Sequence, residues 1–418
     1  MSFASADRDK RFALFAWGGI SLLGVFALLA NAPAPRRIFL LLALVACAID
    51  CIRQIRIRPV ALLFLPWLAV VLLSAAWSPA PTVTLVDALQ EVVSPLAAGL
   101  LAASVASRLE WRHVGWLFGV LALGGLLAAL GALHVHTGFW PTAPAWLRGA
   151  YAGRGVASTL GVFLVLAGGG LLVVNRAALS VGTRGMLLLG GGLLLVGMLL
   201  GMLGHNRMFW FALLVGALPW LVLAGQISRK CQLAAGGALL LLFMGGMAYS
   251  SYFAKAQSDS PANAVVTQIG ASYASDPRWL LWQSWVPVIA ERPLLGFGYG
   301  SRVLPLVGAA HVSSIGNSEP DEVIKHHTHN VLFNTVVQTG FVGLAAFLLL
   351  LFGVWRWIGG ESSPADDVAR KWRLAAISVL IGGLAKSMTD DFFWGPAGIV
   401  MWLLIGTMVG LGRRTGQR

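Results

Sequence analysis

The chain has 418 residues, of which 57% are hydrophobic and 11% are charged, with a mean hydropathy of +0.77. This composition excludes an ordinary soluble domain, in which about 25% of residues are charged. The net charge of +13 is attributed to membrane topology and to contact with anionic lipid headgroups, not to nucleic-acid binding. The composition therefore predicts a polytopic membrane protein.

About twelve apolar stretches are long enough to cross roughly 30 Å of hydrocarbon as α-helices. Helices are expected because each unpaired backbone group in lipid costs several kcal/mol, and these stretches lack the alternation of a barrel strand. The fold class is therefore predicted to be an all-α membrane protein. The predicted spans cover residues 12–30, 38–52, 60–76, 86–106, 113–133, 156–174, 185–203, 208–226, 232–252, 329–355, 372–389 and 395–412.

One long segment interrupts the helices. Residues 1–252 hold about nine predicted spans, residues 253–328 form a large loop outside the membrane, and residues 329–418 hold about three further spans. Most of the 30 basic residues fall in connections on the side of the N-terminus. By the positive-inside rule, both termini are predicted to be cytoplasmic and the large loop to face the opposite side.

Within the large loop, residues 277–290 are predicted to form a short helix. Pro277 suits its first turn, and Trp279, Trp282 and Trp285 recur at three-residue spacing. Such a tryptophan face predicts a helix that lies at the membrane interface. The glycines of GFGYG at 296–300 then permit a tight turn.

Three arginines lie at membrane boundaries on the outer side. Arg154 precedes the sixth span, Arg207 precedes the eighth, and Arg278 opens the tryptophan helix. Converging arginines favour an anionic group such as a lipid phosphate or pyrophosphate. The alternative is that each side chain reaches lipid headgroups on its own.

Two carboxylates, Asp87 and Glu91, lie one helical turn apart on the fourth span. Carboxylates at membrane depth are expected to have partners. They would pair with the arginines or shape an acceptor site, or they would lie at the level of the interface with no further role.

A histidine cluster, IKHHTHN at 324–330, ends the large loop just before the tenth span. His327 and His329, with nearby carboxylates, would suit a divalent metal ion. The cluster would otherwise be a polar cap on a membrane helix, or a neutral imidazole would act as general base on a hydroxyl group near neutral pH. The residues alone leave these three alternatives open.

His329 and Asn330, followed after nine residues by Gly340 and then by Gly343, resemble a signature of the bacterial O-antigen ligase family. Its relatives are O-antigen polymerases and protein O-oligosaccharyltransferases. The upstream stretch RPLLGFGYG and the WSPAP at 77–81 agree with this resemblance. The resemblance implies a membrane-embedded glycosyltransferase of the C-type architecture in the bacterial inner membrane, with its active site facing the periplasm.

The implied donor is a glycan on undecaprenyl pyrophosphate, and the implied acceptor is a sugar hydroxyl of lipid A-core, in lipopolysaccharide biosynthesis. The general base would deprotonate that hydroxyl, and arginines would stabilise the leaving pyrophosphate. No metal ion and no cofactor are implied, and inversion at the anomeric carbon is expected. The implied site residues are His329, Arg278 and Arg207 as catalytic groups, and Arg154, Asn330, His327 and Arg302 as substrate-binding groups.

Other activities stay open at this point. A polymerase would use the same donor with a second lipid-linked glycan as acceptor, and a protein transferase would use a serine hydroxyl. A lipid-linked glycan flippase or other transporter would bind the same pyrophosphate without chemistry. A transporter is expected to place charges deep in a central cavity, whereas most charges here fall at one face.

Overall fold

The computed structural model describes residues 3–29, 33–54, 62–138, 140–142, 144–148, 150–151, 153–175, 183–223, 229–258, 277–311, 328–359, 367–389, 391–393 and 395–415. No β-strand occurs among these residues. The helices are, in chain order, α1 Phe3–Leu28, α2 Pro33–Gln54, α3 Leu65–Leu73, α4 Pro81–Ala106, α5 Trp111–Thr137, α6 Ala145–Arg148, α7 Arg154–Asn175, α8 Thr183–Leu203, α9 Arg207–Leu223, α10 Arg229–Ser258, α11 Pro277–Glu291, α12 Leu304–His311, α13 Val331–Gly359, α14 Asp367–Ser387 and α15 Gly395–Thr415.

A helix overlaps each predicted span, so the prediction of an all-α membrane protein is confirmed. Within the described ranges, 8 helices are long and apolar enough to cross a membrane. They are α1, α4, α5, α7, α8, α10, α13 and α15. The span expected at 60–76 is represented by the short helix α3 and a 3₁₀ turn, Ser74–Ala76, so the total of about twelve spans stays a prediction.

Small residues and aromatic rings build the core. Helices α4 and α15 approach so closely that a Cβ atom on Gly406 would collide with the carbonyl group of Gly99, as is common between membrane helices. Beside this contact, the buried rings of Trp402, Phe393 and Phe347 touch in sequence, with centroids 5.9 and 5.5 Å apart. The series continues through α3 to the loop after α11, and thereby connects the core to the polar residues at one end of the bundle.

The predicted helix at 277–290 is confirmed as α11, and two of its three tryptophans pack against protein, while its place at the membrane interface stays a prediction. Trp285 is fully buried, in a small core with residues of α12 and α13. Trp282 stacks on Phe333, with ring centroids 5.5 Å apart, and its Nε1 donates a hydrogen bond to the Thr328 carbonyl at 2.8 Å. Three-residue periodicity identifies a buried face but does not tell protein from lipid as its surroundings.

Several predicted features lie outside the described residues. These include 259–276 and 312–327 of the large loop, and with them His326 and His327. The side chains of Arg278 and Trp279 also lie outside the described part, although the backbone of α11 is included. The extent of the large loop therefore stays a prediction.

Candidate active site

A glycine-rich segment packs against a break in α13. Gly340 interrupts the helix with φ +66° and ψ −171°, which separates backbone groups from their usual helical partners. The segment after α11 supplies new partners: Phe297 and Gly298 donate to the carbonyls of Val337 and Gln338 at 3.0 and 2.8 Å. A Cβ atom on Gly340 would collide with the carbonyl of Leu294. The signature glycine is thus required by both its backbone angle and its surroundings.

Asp87 on α4 holds the same segment from the other side. Its Oδ1 accepts hydrogen bonds from Nε and Nη2 of Arg302 at 2.8 and 2.5 Å, and its Oδ2 accepts one from the Arg302 backbone at 3.2 Å. The Asp87 side chain is 3% exposed and that of Arg302 is 55% exposed. Hydrogen bonding to Asp87 raises the pKa of Arg302. The structure thus pairs Asp87 with an arginine, and the guanidinium expected to bind substrate is engaged by this carboxylate.

Glu91 lies in a π-helical turn, Ala88–Val93, within α4. Its Oε1 accepts a hydrogen bond from the Ser301 hydroxyl at 2.5 Å. The Leu89 carbonyl accepts two hydrogen bonds from Ser94, five residues on: one from its backbone N–H and one from its hydroxyl, the latter at 2.6 Å. π-Turns inside α-helices are frequent at functional sites.

The histidine of the signature lies in a turn that caps α13. Asn330 Oδ1 accepts hydrogen bonds from the backbone N–H groups of Leu332 and Phe333 at 2.9 and 3.2 Å, as an N-cap residue does. Its Nδ2 donates to the Met388 carbonyl at 3.0 Å. His329 precedes this cap with φ +53° and is half-buried. Asn330 therefore performs the capping that the sequence left as one role for the histidines.

Asn334 ties the histidine turn to the connection between α14 and α15. Its Oδ1 accepts hydrogen bonds from the backbone and hydroxyl of Thr328 at 3.0 and 2.7 Å. Its Nδ2 donates to Asp391 Oδ2 at 2.6 Å. The backbone on both sides of His329 is thus fixed by side chains of α13 and of the turn itself.

Asn334 and Asp391 line a cavity of about 360 Å³. It lies at the end of the bundle where α1 ends and where α2, α7, α13 and α15 begin. Burial, together with the nearby carboxylates, raises the pKa of Tyr299 well above its usual value, so that this phenol stays neutral. The polar residues that line the cavity include Arg36, Glu91, Tyr299, Asn334, Gln338 and Asp391.

A second cluster of titratable groups lies where α5 and α8 end and α7 begins. His136 Nε2 is 3.2 Å from the Tyr151 hydroxyl, and the rings of His136 and His205 are 5.7 Å apart. Burial lowers the pKa of His205, and His136 and Arg154 lower it further. Arg207 opens α9 two residues after His205. The structure thus brings the helix starts that carry Arg154 and Arg207 to one region.

The structure describes some of the predicted site residues. The turn of His329 and Asn330 is joined to the cavity lining through Asn334, and the segment of Arg302 is joined to it through Ser301. Val156, in the first turn of α7 after Arg154, lines the cavity. The position of the Arg278 side chain and all of His327 lie outside the described residues. Sequence reasoning gave no role to these cavity residues: Arg36, Tyr299, Asn334, Gln338 and Asp391.

No group of three or more His, Cys, Asp or Glu residues suited to a metal ion occurs in the part of the chain that the structure describes. The alternative of a metal bound by His327 and His329 is not tested, because His327 lies outside that part.

Residues 157–348 match the model of a family described as O-antigen ligase. The match runs from the first turn of α7 into α13, and it includes Arg207, Arg278 and His329. No curated protein matches the chain. The family resemblance seen in the sequence is confirmed.

Proposed function

Because residues 157–348 belong to the O-antigen ligase family, we propose that this protein transfers a glycan from undecaprenyl pyrophosphate to a sugar hydroxyl of lipid A-core. The reaction would be the ligation step of lipopolysaccharide biosynthesis, on the periplasmic side of the bacterial inner membrane. Both termini would then be cytoplasmic. One observation carries the proposal: His329 of the family signature lies in a turn at the start of α13, and its neighbour Thr328 is hydrogen-bonded to Asn334, a residue of the cavity lining.

His329 is proposed as the general base. Its turn is held by the Asn330 cap and by the contacts of Asn334 with Thr328, and a base held by a rigid turn is oriented before substrate binds. A neutral imidazole would take the proton of the acceptor hydroxyl as that oxygen bonds to the anomeric carbon of the donor sugar. The bond from that carbon to the pyrophosphate oxygen breaks, and in-line attack inverts the anomeric centre.

The arginines are proposed to stabilise the leaving pyrophosphate. Arg207 and Arg154 begin α9 and α7, whose starts lie in one region, and Arg278 lies in the first turn of α11. Guanidinium groups bind phosphate oxygens through two parallel hydrogen bonds. In a site sheltered from water, they offset the charge that develops as the pyrophosphate departs. This chemistry requires no metal ion.

The remaining residues of the predicted site divide into two groups. Asn330 and Arg302 are assigned positioning roles, because the first caps α13 and the second anchors the glycine-rich segment to Asp87. His327 stays a prediction as a substrate-binding residue.

The test is a transfer assay with the purified protein in detergent, using lipid-linked O-antigen as donor and lipid A-core as acceptor. His329→Asn is the sharpest variant, since asparagine tolerates a positive φ but supplies no base near neutral pH. We expect His329→Asn to lower the rate by about 10²–10⁴-fold without changing thermal stability. Full activity of this variant would remove His329 from the mechanism.

Two other outcomes of the assay would change the proposed function. Longer lipid-linked glycans without glycosylated lipid A would make the protein a polymerase, which the family match also accommodates. Intact donor binding with no transfer by the wild-type protein would indicate a transporter.

A further inference from the structure

We propose that the cavity between α2, α4, α13 and α15 is a subsite for a single sugar unit that carries an acidic group. Arg36 would bind the acidic group, and Gln338 and Glu91 would bind ring hydroxyls. The proposed function enters only in naming the two substrates from which this sugar comes, namely the acceptor core and the lipid-linked donor.

Arg36 is the cation that lines this cavity among the described residues. Its guanidinium is half-buried and makes no hydrogen bond or ion pair within the described part of the chain. Burial lowers the pKa of Arg36, and the neighbouring Arg37 lowers it further. A bound anion would stabilise the Arg36 guanidinium, because it offsets both the lost hydration and the repulsion from Arg37.

Gln338 presents a second polar group that has no partner among the described residues. Its side chain lines the cavity and is only 6% exposed. The backbone carbonyl of Gln338 accepts the Gly298 N–H, but its side-chain amide makes no hydrogen bond to any residue that the structure describes. A buried amide left unpaired costs free energy. A sugar hydroxyl would donate to its oxygen and accept from its nitrogen.

Glu91 is aimed at the cavity by the π-turn of α4. Its Oε1 accepts the Ser301 hydroxyl, and the Ser301 backbone N–H also interacts with this carboxyl group. The two oxygens of a carboxyl group have about four acceptor positions. Ser301 therefore holds Glu91 in place and leaves acceptor capacity for a sugar hydroxyl.

The volume of the cavity and the single arginine among its described lining residues limit the size of the ligand and the number of its acidic groups. At about 360 Å³, the cavity is at the lower end of the range for small-molecule sites, which is roughly 300–1,000 Å³. It therefore suits one or two sugar rings and not a whole glycan. The ring of Phe392 in its wall offers an apolar surface to a sugar face. Among the described residues of the lining, Arg36 is basic and Glu91 and Asp391 are acidic, so an acidic substituent has a partner only at Arg36. The arginines proposed for pyrophosphate begin α7, α9 and α11.

The experiment measures equilibrium binding and steady-state kinetics for wild type, Arg36→Ala, Gln338→Leu and the matched control Arg37→Ala. Arg37 carries the same charge on the next residue, is exposed and does not line the cavity. The binding probes are deacylated core oligosaccharide, its dephosphorylated form, its carboxyl-reduced form, and a short-chain polyprenyl pyrophosphate disaccharide. Thermal unfolding of each variant in detergent identifies any misfolded protein.

We expect Arg36→Ala to weaken binding of the acidic oligosaccharide by about ten- to a hundredfold, as loss of a charge-assisted hydrogen bond does. It should raise the KM for acceptor and leave the KM for donor unchanged. Removing the acidic group from the probe should weaken its binding to wild type by the same factor, with no further loss in Arg36→Ala. A rise in the KM for donor, with the KM for acceptor unchanged, would support the subsite and assign it to the donor sugar.

Equal binding of every probe by wild type and Arg36→Ala, or an equal loss in Arg37→Ala, would overturn the subsite. The experiment can contradict the subsite and the ligase activity independently of each other. Normal transfer with unchanged kinetics in Arg36→Ala removes the subsite but not the ligase. Absence of transfer by wild type, with binding that still depends on Arg36, removes the ligase but not the subsite.

Discussion

Gly300 lies against Asp87 so closely that a Cβ atom on residue 300 would be 2.5 Å from the Asp87 Oδ2 atom. The φ angle of Gly300 is +136°, a value that residues other than glycine rarely adopt. The same Asp87 oxygen accepts the backbone N–H of Arg302. The glycine-rich segment is therefore seated directly on the carboxylate, with no room for a side chain between them.

We expect Gly300→Ala to destabilise the protein and to lower transfer activity. Gly138→Ala is the matched control, because Gly138 also has a positive φ, +63°, but a Cβ atom added there would meet nothing within 4 Å. The control should lose only about 1–2 kcal/mol of unfolding free energy from the backbone angle, whereas Gly300→Ala also displaces Asp87 or the segment. Thermal unfolding in detergent compares them. Equal losses would show that the approach to Asp87 is not constrained.

The pair of Asp87 and Arg302 should respond unequally to loss of either partner. Arg302→Ala leaves a buried carboxylate without its guanidinium, and we expect a loss of about 3 kcal/mol. Asp87→Ala leaves an arginine that is already 55% exposed, so water replaces part of the interaction and the loss should be nearer to about 1 kcal/mol. A double-mutant cycle on unfolding free energy measures the coupling. Equal single losses with no coupling would contradict the pairing.

The sequence predicted the helices because they depend on local patterns. Apolar runs located the helices, and Pro277 located the start of α11. Pairing with an arginine was one of the alternatives left open for Asp87, and the structure pairs it with Arg302. The signature correctly marked Gly340 as special, and the structure supplies the reason in the break of α13. The helices depend on residues within a few turns of one another, whereas the partner of Asp87 is 215 residues away.

The remaining features depend on partners that are distant in sequence. Asn334 looks like an isolated polar residue in an apolar helix, and its role emerges only from Asp391, 57 residues away. In the sequence Arg36 is one basic residue near a predicted span, and its place in the cavity emerges only because the start of α15 lines the same cavity. Trp285 faces protein and not lipid because the segment after α11 folds back over it. Hydrophobic periodicity carries no information about such distant partners.

Asn330 should be required for its cap and its link to α14. We expect Asn330→Ala to cost about 1–2 kcal/mol of unfolding free energy and to reduce transfer, because the turn that orients His329 loosens. Asn330→Asp keeps the Oδ acceptor for Leu332 and Phe333 but places its second oxygen against the Met388 carbonyl, so it should recover only part of the stability. Unfolding and initial rates are measured together. Wild-type activity in Asn330→Ala would show that catalysis does not depend on the cap.

Arg278→Lys should lower the rate of transfer while leaving the fold intact. An ammonium group keeps the charge but does not reproduce the two parallel hydrogen bonds of a guanidinium to phosphate oxygens. Arg112→Lys is the control, because Arg112 pairs with Glu110 at the opposite end of the bundle. The rate is measured at saturating donor with and without a chelator. Full activity of Arg278→Lys would remove its role, and loss with chelator that a divalent ion restores would revive the metal alternative.

Below about pH 6.5 the protein should lose stability through His205. Burial, His136 and Arg154 lower the pKa of His205, so the folded protein binds this proton less readily than the unfolded chain. Unfolding free energy is then fully retained above the unfolded pKa of about 6.5 and falls as the pH drops toward the folded pKa. His205→Asn tolerates the φ of +46° and does not titrate. Its Tm should therefore fall less than that of wild type on acidification from about pH 7.5 to about pH 5. An equal fall in Tm in wild type and His205→Asn would show that other groups cause the acid sensitivity.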